Sequence, residues 1–212
     1  MNAQQQPPMN HLVWIDTETG GLTGPASHFD GPRRMGQQYY PLFEIAVIVT
    51  DLELNQIGQP LRLVIFQPER MIERCDEYAA NMHINSGLMK EVRESGISLQ
   101  NAEHRILYHL ESLGVQPYDR KAKTGAVMAG NSIAFDRAFV DCQMPALGAL
   151  LHYRLFDVSA LALAFRFWNP SIANEVQKEY KHTALDDICE SISEAKTYRP
   201  FMADLLAEQI SN

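Results

Sequence analysis

"HLVWIDTETGGL", residues 11–22, runs four apolar residues into a polar stretch whose two carboxylates, Asp16 and Glu18, stand two positions apart. The apolar run predicts a buried strand over residues 11–15. In a strand, residues two apart project to the same face about 6–7 Å from each other, so both carboxylates converge on one spot at the strand's end. Like charges placed this way repel unless a cation sits between them. Hard oxygen ligands of this kind suit Mg²⁺ or Mn²⁺. Two solvated turn residues would give the same D-x-E, so the rest of the chain has to decide.

Outward from this stretch, "FEIAVIVT" (43–50) and "LRLVIF" (61–66) predict two further strands, antiparallel neighbours of the first. "DLELNQIGQP" between them carries the residues of a hairpin-like connection. From Glu69 the period turns helical. One helix is expected over residues 70–82, a second in "NSGLMKEVRES" behind an Asn85 or Ser86 cap, and a third from Ser98 to a terminating Gly114. "GAVMAGNSIAFDRAFVDCQ" reads as a strand over 126–129 and a helix capped near Asn131 or Ser132. "YRLFDVSALALAFRFW" repeats strand then helix, and "HTALDDICESISEAKTY" is a helix capped at Thr183. Three strands followed by alternating helix and strand predict an α/β fold, a mixed five-stranded sheet flanked by helices.

A chain of 212 residues with 46% hydrophobic and 21% charged residues is expected to fold as one domain over 11–212, behind a disordered tail at 1–10. The formal net charge of -8 argues against long-range attraction to duplex DNA or an anionic membrane, while leaving a locally held polyanion open. Cys75, Cys142 and Cys189 are too far apart for a disulfide framework or a zinc motif, which points to a reducing, cytoplasmic setting. No stretch reaches membrane-spanning length, and "MNAQQQPPMN" has no leader-like apolar run. Residues 23–41 are rich in Gly and Pro and have no sustained period. A loop of that length is more often functional or disordered than structural.

Further titratable residues stand in suggestive places. Asp136 lies about a turn inside the helix opened by "GNS", and Asp187 lies in the first turns of the helix after His182, where the helix dipole favours an anion. Taken singly, each is as well explained as a surface aspartate, and Asp186 has an equal claim. His182, five residues before Asp187, is placed to take a proton from a bound water near neutral pH, or else to be an ordinary hydrogen-bonded histidine.

The order of these groups, D-x-E, then an Asp in a strand-Asn-Ser-helix unit, then H-x-x-x-x-D, resembles the DEDDh exonuclease superfamily, named for four acids and a histidine. "HINSGL" (83–88), "GNSIAFDRAF" (130–139) and "HYRLFDVSALALAFRFWNP" (152–170) resemble its oligoribonuclease branch, and the likeness runs from about Leu12 to about Tyr198. The resemblance implies a ribonuclease-H-like sheet and two divalent metal ions, Mg²⁺ or Mn²⁺, held by Asp16, Glu18, Asp136 and Asp187, with His182 as general base. It implies 3′-5′ hydrolysis of short single-stranded oligoribonucleotides by a homodimer. It also implies a 5′-phosphate cap of Ser132, Tyr153, Arg154 and Ser159, with His83 reaching in from the other subunit. Leu22 falls at a position that wedges between bases, and Tyr78 at a nearby aromatic.

The chain departs from that branch at 23–41, about a dozen residues longer than the usual short turn. Starting directly after Leu22, the insertion is expected to border the substrate, with Arg33, Arg34, Tyr39 and Tyr40 available to phosphates or bases. Two other functions fit parts of the pattern: a DEDDh exonuclease acting on longer DNA or RNA, and a catalytically idle module that binds short oligonucleotides. All five catalytic-type residues being present counts against the idle module.

Overall fold

The computed structural model of the chain describes residues 10–26, 34–173 and 183–210. The tail expected over 1–10, apart from Asn10, lies outside them, as do residues 27–33 of the insertion with Arg33, and His182.

The first strand, β1 (Leu12–Thr19), continues four residues beyond the apolar run that announces it. Its alternation explains why. Leu12, Trp14, Asp16 and Glu18 share one face, while Val13, Ile15 and Thr17 share the other, so the strand stays in the sheet as its side chains turn polar. A one-turn helix, α1 (Gly36–Tyr39), follows within the segment expected to be a plain loop. β2 (Leu42–Thr50) is buried at all nine positions and pairs antiparallel with β1, setting Asp16 opposite Ala46 and Glu18 opposite Glu44.

β3 runs Gln56–Val64 rather than over 61–66, and the hairpin turn is confined to Asp51–Asn55, where Asn55 amide donates to Asp51 Oδ1 at 2.8 Å. This strand lies at the sheet's edge and is largely exposed, so half of it shows no apolar pattern, and Pro60 is tolerated there.

The helix expected over 70–82 is two, α2 (Glu69–Ile72) and α3 (Glu77–Asn85), because Asp76 takes the Ala79 amide at 2.8 Å and starts a new helix. α4 (Leu88–Glu94) is not capped by Asn85 or Ser86, which end α3. It begins at Gly87, whose φ of 84° makes the reversal. α5 (Leu99–Ser112) has the expected Ser98 cap.

Then come β4 (Val127–Gly130), α6 (Ala134–Gln143), α7 (Pro145–Leu150), β5 (Leu155–Asp157), α8 (Val158–Trp168), α9 (Pro170–Ala173) and α10 (Ala184–Ile210). Thr183 caps α10 as expected, accepting the Asp186 amide at 3.3 Å.

The sheet order is β3-β2-β1-β4-β5, with β4 parallel to β1 and β5 parallel to β4. One face packs Val13, Ile15, Ile45 and Val47 against Ile106 and Leu110 of α5, Val140 of α6 and Leu147 of α7. The other packs Trp14 and Ile48 against Val158 of α8 and Ile188 and Tyr198 of α10. Trp14 is fully buried, and its indole N–H donates to Thr50 Oγ1 at 2.9 Å. The mixed five-stranded sheet flanked by helices is as expected. Its three parallel strands run toward one edge of the sheet, which is where open α/β sheets place their sites.

The described ends of the insertion are hydrogen-bonded rather than irregular. Ala26 amide donates to Arg34 carbonyl at 3.0 Å and Gly36 amide to Gly24 carbonyl at 2.8 Å. Gln143 of α6 donates through Nε2 to the carbonyls of Gln37 and Tyr40, each at 2.9 Å. Among the described residues, no helix is long and apolar enough to cross a membrane.

Candidate active site

Asp16 and Glu18 lie at the C-terminal end of β1, and Asp187 lies in the first turn of α10, which crosses the same face. One carboxylate oxygen from each comes within 4.8 Å of the other two. Burial first, then the charges of Asp136, Glu18, Asp187 and Glu44, holds the Asp16 carboxyl well above the usual carboxylate range. Glu18 is pushed up to about 7, by burial and then by Glu44, Asp187 and Asp136. This donor set fits a hard divalent cation: it offers only oxygens at this point, and a 2+ charge would relieve the repulsion that raises both groups.

The fourth expected acid arrives from the sheet's other side. Asp136, in the first turn of α6, is 4% exposed, and its Oδ1 accepts from the Thr17 amide at 2.9 Å and the Thr17 hydroxyl at 2.6 Å. Its carboxyl is pushed up to about 7 by burial, against the lowering effect of the Thr17 bonds. It lies close enough to Asp16 to be the largest charge acting on it. His182 lies outside the described residues, directly before Thr183.

His83 requires a correction. The resemblance brings it in from a partner subunit, whereas here the ring is 1% exposed inside its own chain. Nε2 lies 2.8 Å from the Thr19 carbonyl, Nδ1 lies 3.9 Å from Glu18 Oε2, and the ring meets Phe43 edge-on. Burial pulls its pKa below the ordinary histidine value. A ring enclosed this way backs Glu18 and cannot extend to another subunit's substrate without leaving its seat.

Leu22 and Tyr78 do come together. They are 72% and 81% exposed and, with Phe135 and Met82, line a cleft of about 450 Å³ that opens beside Thr17, Glu18 and Thr19. Gly21 permits this: a Cβ there would lie 2.7 Å from the Tyr40 ring and from Asp76 Oδ2.

The expected phosphate-binding residues divide about β5: Ser132 and Ser159 meet at its C-terminal end, whereas Tyr153 and Arg154 stand before its first residue. Ser132 amide donates to Ser159 Oγ at 2.9 Å and to Asp157 Oδ1 at 3.1 Å, and the two serine hydroxyls lie 3.3 Å apart. Neither Asn131 nor Ser132 caps α6, contrary to expectation. Ser132 sits at φ 51°, and the Asn131 amide group reaches Ser191 at 2.8 Å and Glu194 at 3.1 Å. Tyr153 is 63% exposed and stacked on His152 at 4.4 Å, with the Arg154 guanidinium 5.8 Å from the Tyr153 ring centre. Among the described residues no carboxylate lies within ion-pair distance of Arg154.

Three residues that shape the site were not singled out from the sequence. Thr17 was passed over between two acids. Asp157 holds both Ser132 and Ser159 amides, and its place directly before a helix was a readable cap signal. Glu44 is 2% exposed on β2, and a lone carboxylate inside "FEIAVIVT" was the signal for it.

Compared with known proteins, residues 13–195 match the RNase T family model, described as exonuclease. An oligoribonuclease of Corynebacterium diphtheriae is 38% identical over 194 residues, spanning 91% of this chain and 83% of that protein. Among solved structures, exonuclease I from Methylocaldum szegediense superposes with a TM-score of 0.66 at 22% identity over 96% of this chain. The zinc-bound E. coli exonuclease I complex with single-stranded DNA superposes at 0.65 and 19% identity. This chain spans 43% of each exonuclease I chain, and the likeness is one of fold.

Proposed function

This chain belongs to the RNase T exonuclease family, and we propose that within it the protein is a 3′-5′ exoribonuclease that hydrolyses oligoribonucleotides of about two to five nucleotides, 5′-phosphorylated dinucleotides included, to mononucleotides. The observation that carries the reading is a juxtaposition. The carboxylates of Asp16, Glu18 and Asp187 converge within 4.8 Å beside a cleft of about 450 Å³, a volume in the range of small-ligand sites.

Asp16, Glu18, Asp136 and Asp187 are the residues to hold two divalent cations, Mg²⁺ or Mn²⁺. When bound, such ions would supply an acidified water and charge stabilisation at the leaving oxygen. His182 takes the proton from the attacking water, a task suited to an imidazole titrating near neutrality. Thr17 fixes the orientation of Asp136 through its two bonds to Oδ1.

Leu22 and Tyr78 present apolar surface to the terminal bases. At the other end of the substrate, Arg154 offers a two-pronged donor to a 5′-phosphate, and Ser132, Ser159 and Tyr153 offer hydroxyls. A substrate held at both ends does not need a long basic groove, which agrees with the net charge of -8.

We place the enzyme in the cytoplasm as a homodimer, the first supported by free Cys75, Cys142 and Cys189. The second is supported by exposed Phe167 and Trp168 at the end of α8, which offer an apolar surface to a second copy.

Incubation of a 5′-phosphorylated diribonucleotide with the protein and Mg²⁺ or Mn²⁺ tests this reading. Release of mononucleotides, lost in EDTA and in Asp187→Asn, is expected. Binding of the dinucleotide without cleavage would identify an idle module instead.

A further inference from the structure

Behind Glu18, on the side away from the cleft, is a chain of charges that neither the substrate nor the acid cluster accounts for. Glu44 stands directly across from Glu18 in the β1–β2 register, on the same face of the sheet, and is 2% exposed. Two carboxylates facing each other across paired strands repel, and here the repulsion is answered from the next strand. Arg62 of β3, paired with Ala46 and so on that same face, grips Glu44 with both prongs: Nε to Oε1 at 2.9 Å and Nη2 to Oε2 at 2.7 Å.

The guanidinium then reaches Glu91 of α4 at 2.8 and 3.3 Å, near the surface. A cavity of about 60 Å³ separates this row from the acid cluster, lined by Glu18, Glu44, Arg62, His83, Glu91 and Thr183.

The bonding is more than an ordinary strand edge requires. A buried carboxylate with no counter-charge is costly, and a fork that satisfies both of its oxygens removes the cost. The consequence for Glu18 is that the row behind it, Glu44, Arg62 and Glu91, carries one net negative charge, where without Arg62 it would carry two.

We propose that Glu44 and Arg62 are positioning residues for the metal centre: by fixing the net charge of the row behind Glu18, the pair sets how tightly the acid cluster takes a divalent cation. The inference rests on the reading of Asp16, Glu18 and Asp187 as cation ligands. Removing one partner unbalances the charge. Glu44→Gln keeps the shape of the side chain and a bond to Arg62, but removes one negative charge from the row behind Glu18 and weakens the cluster's hold on a cation. Arg62→Gln/Glu44→Gln removes one charge of each sign, returns the row to the parent's net charge and restores that hold.

Mn²⁺ binding to the purified protein, followed by titration calorimetry at one pH and salt concentration, tests this without reference to turnover. Asp187→Asn serves as the control for the premise: unchanged Mn²⁺ binding in that variant would remove the cation site itself. With the control behaving as a ligand loss, Glu44→Gln is expected to weaken Mn²⁺ binding about 10–100-fold. The double variant is expected to return to within about threefold of the parent, while its melting temperature follows neither change. Glu44→Gln binding Mn²⁺ as the parent does, or a double variant as weak as Glu44→Gln, would overturn the proposal and leave the pair a structural tie between β2, β3 and α4.

Discussion

Thr17 and Asp136 are joined across 119 residues by two hydrogen bonds to one oxygen: the Thr17 amide and hydroxyl lie 2.9 and 2.6 Å from Asp136 Oδ1. A residue of β1 facing away from the acid pair therefore sets the rotamer of the acid that α6 contributes. Thr17→Val keeps the shape and the amide bond and removes the hydroxyl bond. A hydrogen bond to a charged group contributes about 1.5–3 kcal/mol, so kcat with Mg²⁺ should fall roughly ten- to a hundredfold. Steady-state kinetics of the variant, with circular dichroism to confirm the fold, checks this.

The metal-free protein should be sensitive to pH at Glu18 and Asp136, whose carboxyls are both pushed up to about 7 from ordinary values of 4.5 and 3.8. Between those values and about 7 the folded chain keeps protons that the unfolded chain has released. Stability from these groups is therefore present in acid and lost as the pH rises through 7, on the order of 3 kcal/mol for one such group. His83 and His152, which are buried, and His11 and His109, which are half-buried, have lowered pKa values and act in the opposite direction as the pH rises to 6.5.

Comparison of Glu18→Gln with the parent isolates the acid term. Without metal, the variant should melt on the order of 5 °C above the parent at pH 8 and level with it at pH 5. With excess Mg²⁺ at pH 8 the order should reverse, because only the parent retains the full ligand set. Scanning calorimetry at the two pH values decides the point.

Gly36 is where the insertion meets the substrate cleft. A Cβ on that residue would lie 1.6 Å from the Leu22 carbonyl oxygen, so Gly36→Ala must move either α1 or the Leu22 loop. Crowding of this kind costs about 1–3 kcal/mol. The expected outcome is a lower melting temperature together with a several-fold higher KM for a dinucleotide and little change in kcat, resembling Leu22→Ala. A change in melting temperature alone would separate the insertion from the cleft.

Arg154 should distinguish substrates by their 5′ ends. Losing a charge-assisted contact worth about 1.5–3 kcal/mol predicts that Arg154→Ala raises KM for a 5′-phosphorylated dinucleotide roughly ten- to a hundredfold. The same variant should treat a 5′-hydroxyl dinucleotide much as the parent does. Paired kinetics on the two substrates measures the difference.

The sheet and its acid pair were legible because they rest on short-range pattern. The apolar runs at 12–15 and 43–50 sit inside β1 and β2, and a two-residue spacing can only place Asp16 and Glu18 on one face. What escaped was set by partners far along the chain. β1 continues to Thr19 although its side chains turn polar, because Thr17 finds Asp136 and the backbone stays paired with β2. The first half of β3 is an exposed edge and carries no apolar alternation to read.

Asn131 and Ser132 have the composition of a helix cap, yet their groups are taken by Ser191, Glu194, Asp157 and Ser159, contacts no local rule anticipates. His83 has the composition of a reaching ligand and is instead buried behind Glu18, seated by the Thr19 carbonyl.

An exonuclease centre for very short RNA is the function proposed for the acid cluster and its adjoining cleft. The most direct test is a hydrolysis time course with Mg²⁺ on 5′-phosphorylated RNA and DNA from two to about twenty nucleotides in length. Diribonucleotide is expected to be consumed fastest, with rates falling as RNA lengthens beyond about five nucleotides and EDTA stopping all of them. Long DNA degraded faster than the dinucleotide would contradict the proposed function.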